Sequence, residues 1–150
     1  MAMEAIWRAK EAVGASSLFS LGDLCPDPGD PVWRGITGVR GNMDRWYQYG
    51  DLPFPPRERS FFWEGRTVYA FHGNEIPSFS PEKGDIVMSG HTHIPSFRNK
   101  DGVFYVNPGS ASQPRTSLPP SFALLSAESF TLFSLLDLSI ISRRSFSSSQ

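Results

Sequence analysis

Proline placement sets the first limit on what this chain can fold into. Its 13 prolines crowd together at Pro26, Pro28 and Pro31, and again at Pro53, Pro55 and Pro56. Proline lacks a backbone donor and blocks helix interiors, so both stretches are connections, and little room for helix remains after residue 20. Residues 2–13 are the exception. Met3, Ile6, Trp7 and Val13 recur at three- and four-residue steps, Ala2, Ala5, Ala9 and Ala12 favour helix, and Gly14 stands where a C-terminal cap belongs.

The rest reads as short strands. Ser17–Leu21 and Gly35–Arg40 are two, joined by a loop from Leu24 to Arg34 too rich in proline for a long helix. Ser60–Trp63 turns at Glu64-Gly65 into Thr67–Phe71, a hairpin by its β-rich composition. Asp85–Ser89 is a buried-strand candidate, and a turn around Asn99–Gly102 leads into Val103–Val106. Phe122–Leu125 and Phe130–Leu136 are the last pair, with a turn at Ala127-Glu128, and the serine-rich stretch from Arg143 onward is expected to fray.

Composition removes several function classes. With 14 Lys and Arg against 15 Asp and Glu, the chain cannot bind nucleic acid by bulk positive charge. An aromatic content of 13% argues against wholesale disorder. Cys25 is the single cysteine, which excludes an internal disulfide and fits a reducing, cytoplasmic setting. Residues 122–141 have the length to span a bilayer but contain Glu128, Asp137 and several serines, and Glu4, Lys10 and Glu11 interrupt any leader-like apolar run. The expectation is a soluble protein without a membrane or nucleic-acid partner. Self-association is left open.

Four strand-like runs end in a polar residue beside glycine: Gly22-Asp23, Gly41-Asn42, His72-Gly73 and Gly90-His91-Thr92-His93. In α/β sheets ligands bind just beyond the carboxyl ends of strands, and glycine lets backbone turn sharply and approach closely there. All three histidines of the chain fall in these groups. Asp23, Asn42, His72, His91 and His93 form a mixed nitrogen and oxygen set suited to Mn, Fe, Zn or Ni.

This ordered set resembles the calcineurin-like metallophosphoesterases, and Val39–Asp44 with Asn107-Pro108-Gly109-Ser110 is similar to the small bacterial YfcE-type phosphodiesterases. The resemblance covers roughly residues 2–141. It implies an α/β fold, a two-sheet sandwich with flanking helices, here helix-poor, over residues 1–142, with a polar, disordered tail at 143–150. It also implies a binuclear centre, manganese first and zinc, nickel or iron as alternatives, and a small phosphodiester substrate attacked by a metal-activated hydroxide. Asp23 would bridge both ions. Asn42, His72 and His91 would bind the second ion and His93 the first. Asp23, Asn42 and His91 are the catalytic candidates. Two ions about 3.5–4 Å apart can share a water and clamp the phosphoryl oxygens.

Three departures qualify the resemblance. No Asp-x-His motif precedes Asp23, which leaves the first ion only Asp23 and His93 and leads us to expect a shortened product of a longer gene. The Asp23–Asn42 connection leaves the family's crossover helix shortened or lost. Met43 stands where many members carry histidine; the YfcE-like subfamily lacks that histidine too, and the general acid is unassigned. A second reading is a scaffold on the same fold, like the retromer subunit that resembles this family, although that type carries aspartate where this chain has Asn42. A third is a mononuclear metal protein using Asn42, His72, His91 and Asp23.

Other residues have two readings each. Asp44 either orients a ligand or serves as a plain turn residue, and Arg40 either faces substrate phosphate or is solvated or salt-bridged. Asn107, Gly109 and Ser110 are read mainly as a turn supporting the His91–His93 loop, and Cys25 either sits near the metal or, as the favoured reading, is a free buried thiol. Trp33, Trp46 and Tyr47 are candidates for a substrate mouth, for core or for an interface.

Overall fold

The computed structural model describes residues 3–114 and 117–147. Helix α1 (Met3–Val13) buries Met3, Ile6 and Ala9, which fall on one face at three-residue spacing. Gly14 takes a left-handed φ of 74°. Its N–H and that of Ala15 reach the carbonyls of Glu11 and Lys10, closing the helix end. Trp7 Nε1 donates to the Val32 carbonyl at 2.7 Å and ties the helix to a 3-10 turn, Pro31–Trp33.

That turn is the only helical structure in the connection between two parallel strands, β1 (Leu18–Ser20) and β2 (Ile36–Gly38). Asp30 caps it by accepting from Val32 N, and Pro31 fills the first position, where no N–H is needed. The proline-rich crossover therefore replaces a long helix with one capped turn, in line with the sequence.

Five strands form the main sheet: β3 (Glu58–Trp63), β4 (Arg66–Phe71), β5 (Ile86–Met88), β6 (Ser96–Lys100) and β7 (Val103–Asn107), in the order β3-β4-β5-β7-β6. β4, β5 and β7 run parallel, while β3 and β6 are antiparallel edges. The two hairpins turn on Glu64-Gly65 (φ 52° and 81°) and Asp101-Gly102 (φ 55° and 84°). Paired positive φ values match the twist of tight hairpins.

A third ladder holds β8 (Ser121–Leu125), β9 (Ser129–Ser134) and β10 (Ile140–Ser145), all antiparallel. β10 corrects the expectation of a polar tail from Arg143. Arg143, Arg144 and Ser145 pair with Thr131, Phe130 and Ser129, and the Phe146 N–H reaches the Glu128 carbonyl. The cause lies in side chains, because Phe146 is buried and Arg66 lies 5.2 Å over its ring, while Arg144 covers Phe97 at 5.0 Å. The tail residues 148–150 lie outside the described residues.

The mixed, helix-poor α/β architecture is as expected, with its strands in three ladders. Val68, Ala70, Ile86, Met88, Phe104 and Val106 of the main sheet share one core with Val39, Phe130 and Phe146. Among the described residues, no helix is long and apolar enough to cross a membrane. Ile86, fully buried at the centre of the parallel strands, is the sharpest probe of this core. Ile86→Ala should lower unfolding free energy by about 2–5 kcal/mol in a denaturant titration.

Candidate metal centre

The parallel strands deliver their polar residues to one place. β1 runs into Gly22-Asp23, β2 into Gly41-Asn42, β4 into His72, and β5 into Gly90-His91. Donor atoms of Asp23, His72 and His91 all lie within 4.8 Å of one another. Asn42 joins them, its Oδ1 3.0 Å from His72 Nε2.

The orientation of His72 decides what this cluster can hold. Its Nδ1 lies 2.7 Å from the Leu21 carbonyl, which can only accept, so the hydrogen-bond network puts a proton on Nδ1. In the neutral ring Nε2 then presents a lone pair. It faces Asn42 Oδ1 at 3.0 Å, His91 Nδ1 at 3.1 Å and Asp23 Oδ2 at 3.2 Å. An acceptor nitrogen this close to a carboxylate and an amide oxygen needs a proton or a cation between them. Donors bound about 2.1 Å from an ion at right angles would lie about 3.0 Å apart, close to the spacing of His72 Nε2 from each of the other three atoms, so the cluster suits a small divalent cation. A carbonyl holding the far nitrogen of a ligating histidine is the usual support for such a site.

Close packing makes this convergence possible. A side chain on Gly22 (φ 110°) would collide with His72 Nδ1, and one on Gly41 would collide with Asp23. Asp23 and His91 themselves sit at left-handed φ values of 58° and 63°. Non-glycine residues resist that region, so something must hold them there.

Asp44 holds the first. This carboxylate is 3% exposed. Its Oδ2 accepts from the N–H groups of Asp23 (2.8 Å) and Gly41 (2.9 Å), and its Oδ1 from Cys25 N (2.9 Å) and the Tyr49 hydroxyl (2.8 Å). Asp44 therefore does more than close its own turn, since it braces the backbone of Asp23. Burial, reinforced by the Asp44 carboxylate, pushes the Tyr49 hydroxyl far above its usual range and keeps it a neutral donor. Nothing in the sequence singles out Tyr49. Met43 N donates to Asp23 Oδ1 at 2.7 Å and fixes the other carboxylate oxygen.

Asn107 holds the second loop, as its motif implied. Its Nδ2 donates to the Gly90 carbonyl and to Thr92 Oγ1, and its Oδ1 accepts from Gly109 N. Ser110 Oγ accepts from Gln113 N at 2.8 Å, and the Gln113 carbonyl lies 2.7 Å from His93 Nδ1. His93 is not drawn into the four-residue cluster. Cys25 is exposed rather than buried, and its Sγ lies 3.4 Å from the Met43 carbonyl. Partial burial of the sulfur, with the charges of Asp44 and Asp23, raises its pKa and keeps it a thiol. Trp46 and Tyr47 are exposed and pack edge to face, whereas Trp33 lines a cavity of about 180 Å³ whose walls include none of the four donors.

Removing the Tyr49 hydroxyl should loosen Asp44 and, through it, Asp23, without touching any of the four donors. Tyr49→Phe is expected to weaken Mn²⁺ affinity about 10–100-fold in calorimetry, the range found for outer-shell partners, with the circular dichroism spectrum unchanged.

Comparison with known proteins places this geometry. The sequence model of the calcineurin-like phosphoesterase superfamily domain matches residues 2–129. The chain is 30% identical over 120 residues to phosphodiesterase YfcE of Escherichia coli K12, covering 75% of this chain and 64% of that protein's length. It is 34% identical over 131 residues to a probable metallophosphoesterase of Methanothermobacter thermautotrophicus, covering 81% of this chain and 69% of the other. The solved structure of E. coli YfcE, described as a phosphoesterase, superposes with a TM-score of 0.84 at 24% identity, covering 97% of this chain and 92% of that one. The chain belongs to the calcineurin-like phosphoesterase superfamily.

Proposed function

We propose that this chain is a metal-dependent phosphodiesterase acting on a small phosphodiester in the cytoplasm. The observation that carries the reading is the convergence of the Asp23, Asn42, His72 and His91 donors at the carboxyl ends of parallel strands in a member of this superfamily. The 30% identity to a named phosphodiesterase supports the same reaction.

Asp23, Asn42, His72 and His91 would hold one divalent ion, with manganese preferred over zinc, nickel or iron. Asp23 with His93 would contribute to a second, weaker site. Such ions supply Lewis-acid polarisation of a phosphoryl oxygen and acidify a coordinated water. The protein supplies position. Met43 N and Asp44 hold the Asp23 carboxylate and its backbone, Leu21 holds the His72 ring, and Arg45 Nη1 holds the Asn42 carbonyl at 2.7 Å. Met43 has no proton to give, so its side chain cannot assist the departing oxygen. Esters with acidic leaving groups, such as aryl diesters, should be the best substrates.

Hydrolysis of bis(p-nitrophenyl) phosphate with Mn²⁺ tests the reading. Activity should vanish on chelation with EDTA and return with Mn²⁺. Asp23→Asn and His91→Ala should each lower kcat/KM by about 10²–10³. Hydrolysis indifferent to chelation, or none with any of the four metals, would refute it.

Calorimetric titration with Mn²⁺ should give one strong site, since four protein ligands serve one position and two the other. Two equal sub-micromolar sites would contradict this ligand assignment.

A further inference from the structure

Beside His72 lies a cavity of about 60 Å³ whose walls include Arg40, Arg57, Phe71, Glu75 and Ile76. At about 15 Å³ per water, that is room for roughly four waters or one tetrahedral oxyanion. Its charged groups are not equivalent. Arg57 Nη1 is bound to both oxygens of Glu75, at 2.9 and 2.6 Å. Glu58, also on the wall, is bound by Ser78 N and Oγ. Arg40 has no carboxylate within ion-pair distance among the described residues. It is half-buried and pinned. Its Nε donates to the Pro55 carbonyl at 3.1 Å, and its guanidinium carbon lies 4.6 Å over the Phe54 ring. Neither contact uses the two Nη groups.

A guanidinium fixed from behind, with no anion of its own and a shared wall with a metal-site histidine, is organised to receive a phosphate-type oxyanion. We propose that Arg40 is a specificity-determining residue of the phosphodiesterase site: its Nη groups take a non-bridging oxygen of the substrate, and the Phe71–Ile76 wall seats one ester arm. Ile76 is almost fully exposed at 95%, an apolar surface that an ester arm would cover. This deepens the functional reading above and rests on it.

The test measures inorganic phosphate binding to the Mn²⁺-loaded protein by calorimetry, which needs no turnover. Arg40→Gln should weaken phosphate binding about 30-fold or more, while Arg40→Lys should recover part of the loss. Arg34→Gln, which removes an exposed cation paired with Asp51 away from this cavity, should leave phosphate affinity within about twofold. With bis(p-nitrophenyl) phosphate, Arg40→Gln should raise KM far more than it lowers kcat. Mn²⁺ affinity must stay unchanged in Arg40→Gln, because a loss there would mean that Arg40 merely braces the Pro53–Pro56 segment. Unchanged phosphate binding in Arg40→Gln, or equal losses of phosphate and Mn²⁺, would overturn the proposal. If the wild-type protein binds phosphate through Arg40 yet hydrolyses no diester, the functional reading fails and the anion site stands.

Discussion

A carboxylate taken out of water survives inside a protein only where donors replace the water it loses. Asp44 meets that condition with four donors, and the consequence reaches well beyond its own turn. Three of those donors are backbone N–H groups from two separate strand ends, those of Asp23, Cys25 and Gly41. Drawing them onto one carboxylate brings the β1 and β2 loops together and leaves Asp23 and Asn42 facing His72. The fourth donor, the Tyr49 hydroxyl, stays protonated because burial and the same carboxylate disfavour its anion. The candidate metal centre thus depends on a carboxylate that bonds the backbone of Asp23 and contributes no donor atom to the cluster itself.

The two halves of the centre rest on unequal supports. His72 and His91 follow strands of a five-stranded sheet, while Asp23 and Asn42 follow a two-stranded one. A short pair of strands has little stability alone. Cross-links supply it: His72 Nδ1 to the Leu21 carbonyl, Arg59 Nε to the Gly38 carbonyl at 2.6 Å, and Arg40 N to the Pro56 carbonyl at 2.8 Å. The first of these also sets the His72 tautomer, so one hydrogen bond joins the two sheets and aims a lone pair into the cluster.

Much of this was legible in the sequence. Proline placement foretold the helix-poor crossover, Glu64-Gly65 and the Asn99–Gly102 stretch marked the hairpins, and glycine beside a polar residue marked the strand ends. These signals are local, and local backbone chemistry decides them. What stayed hidden depends on distant partners. β10 reads as a serine-rich tail because its pairing partner β9 and the ring of Phe97 lie elsewhere in the chain. Tyr49 reads as one aromatic among several because its value comes from its hydrogen bond to the buried Asp44 carboxylate. The exposure of Cys25 and its positive φ of 46° are likewise not demanded by the residue type at that position.

One regularity connects the legible part to the hidden part. Asp23, His91 and His93 sit at left-handed φ, where a side chain costs of order 1–3 kcal/mol each. Glycine would relieve that cost but would remove the donor atom, so the strain must be held from outside. In each loop the holder comes from another strand's motif. The Gly41-Asn42-Met43-Asp44 segment after β2 supplies Asp44 and Met43 N to Asp23 after β1, and Asn107 at the end of β7 supplies its amide to the loop after β5. A motif in this chain therefore carries two kinds of residue, one that faces the centre and one that fixes its neighbour's loop. The first kind alone would leave donor atoms free to relax away from one another. The second kind is what keeps the donor atoms of Asp23, Asn42, His72 and His91 gathered in one cluster.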